Sequence, residues 1–214
     1  MNISKKLQVR KLNTAQSLNK SEILLVGAGV MAQDYFNVLR DLKIKTRVFC
    51  RSKESSELFN SVLGYEPEFG DLEEFVLNNK FEKAIIAVDL LNLCDVADIL
   101  ISSGVKDILI EKPAGSEIKE IYALADLGNS LGANIYVAYN RRFYSSVIKA
   151  KEIIRQDGGV LSFSFEFTEW SEKIAALKLH EKINNNWALC NSSHVIDLAF
   201  YLCGYPKEIE AKTS

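Results

Sequence analysis

Two short motifs, about 80 residues apart, hold the residues best suited to chemistry. The first is Val26-Gly27-Ala28-Gly29-Val30-Met31-Ala32, directly after the apolar run Ile23-Leu24-Leu25-Val26. A glycine turn between a strand and a helix lets a pyrophosphate approach the backbone and rest on the helix N-terminus. The spacing Gly27-x-Gly29-x-x-Ala32 fits the dinucleotide fingerprint, which allows alanine at its third position. The second motif is Glu111-Lys112-Pro113, directly after Ile108-Leu109-Ile110. It puts a lysine at the C-terminal end of a strand, where open α/β sheets bind ligands. Beside a nicotinamide, such a lysine can bond a substrate hydroxyl and shuttle its proton; desolvation and neighbouring positive charge lower its pKa toward the useful range. Pro113 holds the turn and biases Lys112 toward an extended backbone. Glu111 is placed to pair with Lys112 or with a ribose or other cofactor group. Without its neighbours the tripeptide would read as a plain surface turn.

Two further groups complete the set. About 20 residues after the glycine turn, where an NAD site carries an acidic residue for the ribose hydroxyls, the sequence has Cys50-Arg51-Ser52. Arg51 and Ser52 suit a 2′-phosphate, since a guanidinium pairs with phosphate and stacks on adenine, so NADP is preferred over NAD. On a helix predicted over Trp187–Leu202, His194 and Asp197 are three apart and share a face, with Asn191 one turn earlier and Cys190 four before the histidine. His194 reads either as a donor or acceptor for a substrate hydroxyl or as a satisfied interior histidine. Asp197 reads as its anchor or as a cap for a neighbouring element.

The elements that must position these residues follow from the hydrophobic periods. Strands are predicted at Ile23–Val26, Thr46–Cys50, Lys83–Val88, Asp107–Ile110 and Asn134–Ala138. Helices are predicted at Val30–Leu42, Glu54–Leu63, Leu72–Asn78, Leu91–Ser103 and Glu117–Leu131. Short uninterrupted apolar strands alternating with helices indicate a doubly wound parallel sheet covered on both faces, an α/β fold, over residues 21–140. After Asn140 the pattern changes. A helix is predicted at Ser145–Gln156, and Val160–Trp170 alternates Leu161, Phe163, Phe165 and Phe167 as a half-buried strand should. Glu208–Ala211 reads as the start of another strand. Residues 141–214 therefore read as an incomplete α+β domain, since one such strand cannot make a stable sheet alone.

Composition narrows the classes. The 214 residues carry a formal charge of −2, which gives no general attraction to nucleic acid or to an anionic membrane. No apolar run approaches the ~20 residues of a membrane span. Residues 1–20 form a polar extension with no apolar signal core, so the expected location is cytoplasmic. Lys5, Lys6, Arg10 and Lys11 in it read as solvated rather than as a basic arm. Cys50, Cys94, Cys190 and Cys203 form no C-x-x-C pair and read as free thiols of a reducing compartment. With His180 and His194 the only histidines, no metal is expected.

Together these motifs resemble the Gfo/Idh/MocA family of NAD(P)-dependent sugar oxidoreductases, from about Ser21 to Ser214. Glu111-Lys112-Pro113 matches the family's tripeptide, Tyr139-Asn140-Arg141-Arg142-Phe143 the segment leaving the last Rossmann strand, and Asn191-Ser192-Ser193-His194-Val195-Ile196-Asp197 the histidine-bearing helix. The resemblance implies a Rossmann domain followed by a domain with a mostly antiparallel sheet, with nicotinamide and substrate meeting between them. It implies that Lys112 and His194 are catalytic. Gly27, Ala28, Gly29, Val30 and Met31 would hold the pyrophosphate, and Arg51 and Ser52 the adenosine end. Val88, Asp89, Glu111, Lys112 and Arg141 would border the cofactor, and Lys112, Asn140, Asn191 and His194 the substrate. It further implies a sugar or nucleotide-sugar substrate, a setting such as surface-polysaccharide synthesis, and a homo-oligomer through the C-terminal sheet. The sequence departs from the family at Cys190, where many dehydrogenases have aspartate, at Val88-Asp89, where Thr-Pro is usual, and at Cys94, where a histidine is usual. It is also shorter than the family's usual length. These departures leave open a non-catalytic dinucleotide-binding sensor or interaction protein derived from the family.

Overall fold

The computed structural model describes residues 22–210 and Lys212, so the expected extension over residues 1–20 lies outside the described residues. The chain divides into two compact units, one ending at Val137 and the other starting at Ala138.

In the first unit six strands form one sheet in the order β3-β2-β1-β4-β5-β6. They are β1 (Ile23–Val26), β2 (Thr46–Cys50), β3 (Glu68–Phe69), β4 (Lys83–Ile86), β5 (Asp107–Ile110) and β6 (Asn134–Val137). Every ladder is parallel. The intervening helices are α1 (Val30–Asp41), α2 (Lys53–Leu63), α3 (Leu72–Asn78), α4 (Leu93–Ser102) and α5 (Ile118–Leu131). The two-residue period of the strands explains the double covering. Leu24, Val26, Ala84, Ile86, Ile108 and Ile110 pack with Leu93, Ala97 and Leu100 of α4 and Leu124 of α5. Their alternates Ile23, Leu25, Val48 and Ile85 pack with Ala32, Phe36 and Leu39 of α1 and Phe59 of α2. A strand buried on both faces has no polar side to show, which is why these runs lack alternation.

The predicted elements of this unit all form, with ends that agree to within two residues. Two features were not predicted. β3 is only two residues long and lies at the sheet edge. A 3₁₀ turn at Leu90–Asn92 precedes α4, because the Asp89 carboxylate accepts the Leu91 N–H (3.0 Å) and ends β4's extension early.

The strand order reverses direction between β1 and β4, and the two strands touch there in an unusual way. Gly27 leaves β1 with φ +128°, and a Cβ built on it would lie 2.1 Å from the Ala87 carbonyl oxygen. Ladder geometry continues around it: Gly27 N–H donates to Phe49 O and Ala87 N–H to Val26 O, both at 2.8 Å.

The second unit is helical among the described residues. A 3₁₀ turn at Asn140–Phe143 leads into α6 (Ser145–Gln156), and α7 (Ser171–Ala176) and α8 (Glu181–Asn185) follow. The predicted helix over Trp187–Leu202 splits into a π-helical turn, Ala188–Ser192, and α9 (Ser193–Cys203). The strand expected at Val160–Trp170 is not formed, nor is one seen over residues 208–210. A strand needs a hydrogen-bonded neighbour, and the described residues of this unit supply none. The alternating aromatics instead gather on α9, where Phe163 and Phe165 both meet the Phe200 ring edge-on, at 6.2 and 6.3 Å. They remain 43% and 44% exposed. The antiparallel sheet, and with it the expected sheet-mediated oligomer, therefore has no strand to rest on among the described residues.

The contact at Gly27 gives a stability prediction. Gly27→Ala sets a Cβ against backbone that cannot rotate away, in a conformation L-residues avoid, so unfolding in urea should show a loss on the order of 3 kcal/mol. A melt within about 0.5 kcal/mol of the parent would mean that the β1–β4 junction is looser than described.

Candidate functional site

A cavity of about 760 Å³ opens at the C-terminal ends of β1, β2 and β4. This is where open α/β sheets bind ligands, at the point of reversed strand order. Val26, Gly27, Ala28, Gly29, Val30 and Met31 form one wall. Cys50, Arg51 and Ser55 line the cavity where β2 leads into α2, and Ala87, Val88 and Asp89 where the chain leaves β4. Leu58, Leu72, Val96 and Ile99 add an apolar lining.

The start of α1 differs from that of every other helix of the first unit among the described residues. α2 is capped by Ser52, whose Oγ accepts the Ser55 N–H, with Glu54 in its first turn. α3 is capped by Asp71, with Glu73 and Glu74 following. α4 has Asp95 in its first turn. At α5, Glu120 accepts the N–H groups of Ser116 and Glu117. α1 has neither a side-chain cap nor an acidic residue in its first turn. Its N-cap is Gly29, and a Cβ built there would meet nothing within 4 Å. The positive end of a helix dipole thus faces a cavity, beside a residue whose missing side chain leaves room that no protein atom fills.

Sequence-predicted residues meet this cavity unevenly. Gly27, Ala28, Gly29, Val30, Met31, Arg51, Val88 and Asp89 line it. Ser52 does not: its hydroxyl caps α2, and Ser55, not predicted, lines the cavity instead. A serine three residues after a cap position lies one turn along, which is the signal that would have found it. The Asp89 carboxylate is engaged by the Leu91 N–H. Cys50 is buried, its Sγ donates to Ser52 O (3.3 Å), and burial pushes its thiol pKa up.

Glu111 and Lys112 sit at the tip of β5. The Lys112–Pro113 peptide is cis, Ala114 has φ +79°, and the Ala114 N–H closes the turn onto Glu111 O (2.9 Å). Cys94 Sγ donates to Ala114 O (3.2 Å) and would lie 2.7 Å from a Cβ on Gly115. Burial and the nearby Glu120 and Asp95 carboxylates push this thiol up to about 11, so it is a packing group and not a nucleophile at neutral pH. Sequence reasoning missed Tyr35, whose phenol donates to Glu111 Oε1 at 2.6 Å.

The other predicted residues belong to the second unit. Half-buried His194 packs edge-on against Tyr139, with ring centroids 5.7 Å apart. Burial pushes the Tyr139 phenol up. Asp197, expected either to anchor His194 or to cap an element, instead takes a two-point pair from Arg142, with Nε to Oδ2 at 2.8 Å and Nη2 to Oδ1. The Arg142 guanidinium also lies 4.8 Å from the Tyr201 ring centroid. The resemblance implied a role for Arg141; it is the neighbouring Arg142 that is held this way. Asn191 Nδ2 donates to Glu169 Oε1 (2.7 Å), and Trp187 Nε1 donates to the other Glu169 oxygen. Glu169 was also missed, because it lies in the segment read as a strand. Cys190 is buried in the π-helical turn, and Asn140 is exposed.

No helix among the described residues is long and apolar enough to cross a membrane. No protein-family model matches the chain. An uncharacterized oxidoreductase of Schizosaccharomyces pombe is 26% identical over 200 residues, which are 88% of this chain and 53% of that protein. The chain thus spans about half the length of the curated relative it matches. The WlbA dehydrogenase from Bordetella pertussis, solved in complex with NADH and UDP-GlcNAcA, superposes with TM-score 0.67 at 16% identity, over 87% of this chain and 56% of that one. A myo-inositol 2-dehydrogenase from Lactobacillus plantarum superposes with TM-score 0.68 at 16% identity, over 86% and 56%. The chain has the fold of the N-terminal half of NAD-binding oxidoreductases of the Gfo/Idh/MocA type.

Proposed function

We propose that this chain binds a nicotinamide dinucleotide in the cavity at β1, β2 and β4, and serves a hydride transfer to or from a carbon bearing a hydroxyl or carbonyl group. The observation that carries this reading is the start of α1: an uncapped helix N-terminus, with no acidic residue and an open Gly29, facing a cavity at the reversed strand order. Those residues fit a pyrophosphate. Arg51 at the cavity wall, with no carboxylate at the end of β2, favours NADP over NAD. The substrate is a sugar or nucleotide-linked sugar. Support comes from the UDP-sugar and the inositol named for the two superposed dehydrogenases. A role in surface-polysaccharide synthesis rests on family analogy.

When bound, the dinucleotide supplies or accepts the hydride at its nicotinamide. The chain's own residues do the rest. Lys112 holds the reacting oxygen and takes or returns its proton. His194 makes the second polar contact or serves as acid/base, and Asn140 and Asn191 hold neighbouring hydroxyls. Glu111 and Arg141 border the cofactor. The four free thiols suit a reducing compartment and support a cytoplasmic location.

Titration with NADPH and NADH, followed by nicotinamide fluorescence, tests the central claim: saturable binding is expected, tighter for NADPH. Binding of neither overturns the proposal. Gly29→Ala separates ligand space from protein packing. Its melt should stay within about 0.5 kcal/mol of the parent while NADPH affinity falls at least about tenfold. Unchanged affinity would remove the pyrophosphate assignment. Arg51→Ala should weaken NADPH more than NADH, and equal loss would end the NADP preference. Lys112→Ala should abolish sugar-dependent turnover while sparing NADPH binding; retained turnover would assign the proton elsewhere.

A further inference from the structure

We infer that Tyr35 is a positioning residue of the cofactor site, holding the Glu111 carboxylate so that its second oxygen accepts a hydroxyl of the nicotinamide-side ribose. This rests on the dinucleotide reading of the cavity. The hydrogen bond joins residues 76 positions apart, from α1 to the tip of β5. α1 is the helix whose first turn lines the cavity, and the β5 tip carries Lys112. Both belong to the first unit.

The strand period explains why the two side chains meet. Leu109 and Tyr35 pack against the same core layer, the one built on α1 and α2. Glu111, two residues after Leu109, projects from that same side of the sheet. Ile108 and Ile110 face the opposite layer. The bond is short at 2.6 Å, as an O–H donor to a carboxylate gives. Burial and the adjacent carboxylate push the Tyr35 phenol far above its ordinary value, so it remains a donor throughout the physiological range. A carboxylate has about four lone-pair sites, and Tyr35 occupies one, on Oε1. The bond restrains the carboxylate through Oε1 and leaves Oε2 for a ligand hydroxyl. Glu111 N–H also donates to Ile86 O (2.9 Å), which ties its backbone to the end of β4, whose exit lines the cavity. Side chain and backbone of Glu111 are thus each anchored to an element of the cavity wall.

A structural tie and a positioning role differ in which part of the ligand feels the loss. Tyr35→Phe and Glu111→Gln would be titrated with NADPH and NADH, and in parallel with 2′,5′-ADP and ADP, which lack the nicotinamide half. Each variant should weaken the dinucleotides about tenfold, the scale of one charge-assisted hydrogen bond. Binding of the adenosine fragments should stay within about twofold. The double variant should bind no worse than the weaker single one, because the two residues act as a unit. Unchanged dinucleotide affinity in Tyr35→Phe, equal loss for fragments and dinucleotides, or additive losses would each overturn the inference. The wild-type titration separates the two levels. If wild type binds no dinucleotide, the function proposed above fails and this inference with it; if wild type binds and Tyr35→Phe is unaltered, only the inference fails. Should Tyr35→Phe not fold, Glu111→Gln carries the same comparison.

Discussion

The architecture of the first unit depends on one contact in which no side chain can take part. At the end of β1 the Gly27 backbone passes so close to the Ala87 carbonyl that a Cβ would lie 2.1 Å from it. That approach keeps β1 and β4 hydrogen-bonded to their last residues, with the Ala87 N–H on Val26 O, before the chains part. β1 then turns into α1 on one side of the sheet, while the chain leaving β4 turns through Asp89 toward α4 on the other. The cavity is the gap that opens where they part. Any residue other than glycine at position 27 would have to push the two strands apart, and the walls of the cavity with them.

The same close approach explains why the two glycines of the turn do different work. Gly27 is demanded by the protein's own backbone. Gly29 has an ordinary φ of −74° and nothing within 4 Å of where a Cβ would be. Sequence spacing treats them as equivalent marks of one fingerprint; only the structure separates packing from vacancy. The parallel sheet was readable in advance for a related reason. Strands such as Ile23–Val26 are buried on both faces, so they show uninterrupted apolar runs, and helices such as α2 and α5 carry caps and closing glycines. β3 escaped notice because two residues at an edge make no pattern. The Ser52 hydroxyl, expected at the adenosine end, accepts the Ser55 N–H. A hydroxyl beside a helix start has a local use that competes with any distant one.

The second unit was less readable because its pattern is conditional. Leu161, Phe163, Phe165 and Phe167 alternate as a strand would, but alternation describes a face and does not provide a neighbour. With no paired strand among the described residues, two of the rings settle on Phe200. Asp197 shows the same limit for a polar group. Helical spacing put it on the face of His194, and the structure gives it to Arg142. A guanidinium that offers two parallel N–H donors, and that lies against an aromatic ring, is a stronger claimant for a carboxylate than a neighbouring imidazole. The π-helical turn at Ala188–Ser192 also breaks the assumption of uniform 3.6-residue spacing on which the shared face of Asn191 and His194 rested.

Two cysteines stand where the resembled family has charged or polar groups, and their surroundings show what such replacements do. Cys94 has become part of the wall behind the Lys112 turn. Its thiol donates to Ala114 O, in a residue held at φ +79°, and its sulfur fills the space beside Gly115 that a side chain there would need. A strained backbone persists only where surrounding contacts over-determine it. Here the contacts are the Cys94 thiol and the bond from the Ala114 N–H to Glu111 O. Cys190 is buried in its turn, whereas the nearby carboxylate of Glu169 reaches Trp187 and Asn191 from another part of the chain. In both places the sulfur is part of the packing around it. In the proposed function Lys112 handles the proton, and what the lysine can do depends on how firmly its turn is held. That turn is braced by Cys94 from α4 and by Tyr35 from α1, so the helices on the two faces of the sheet converge on one strand tip.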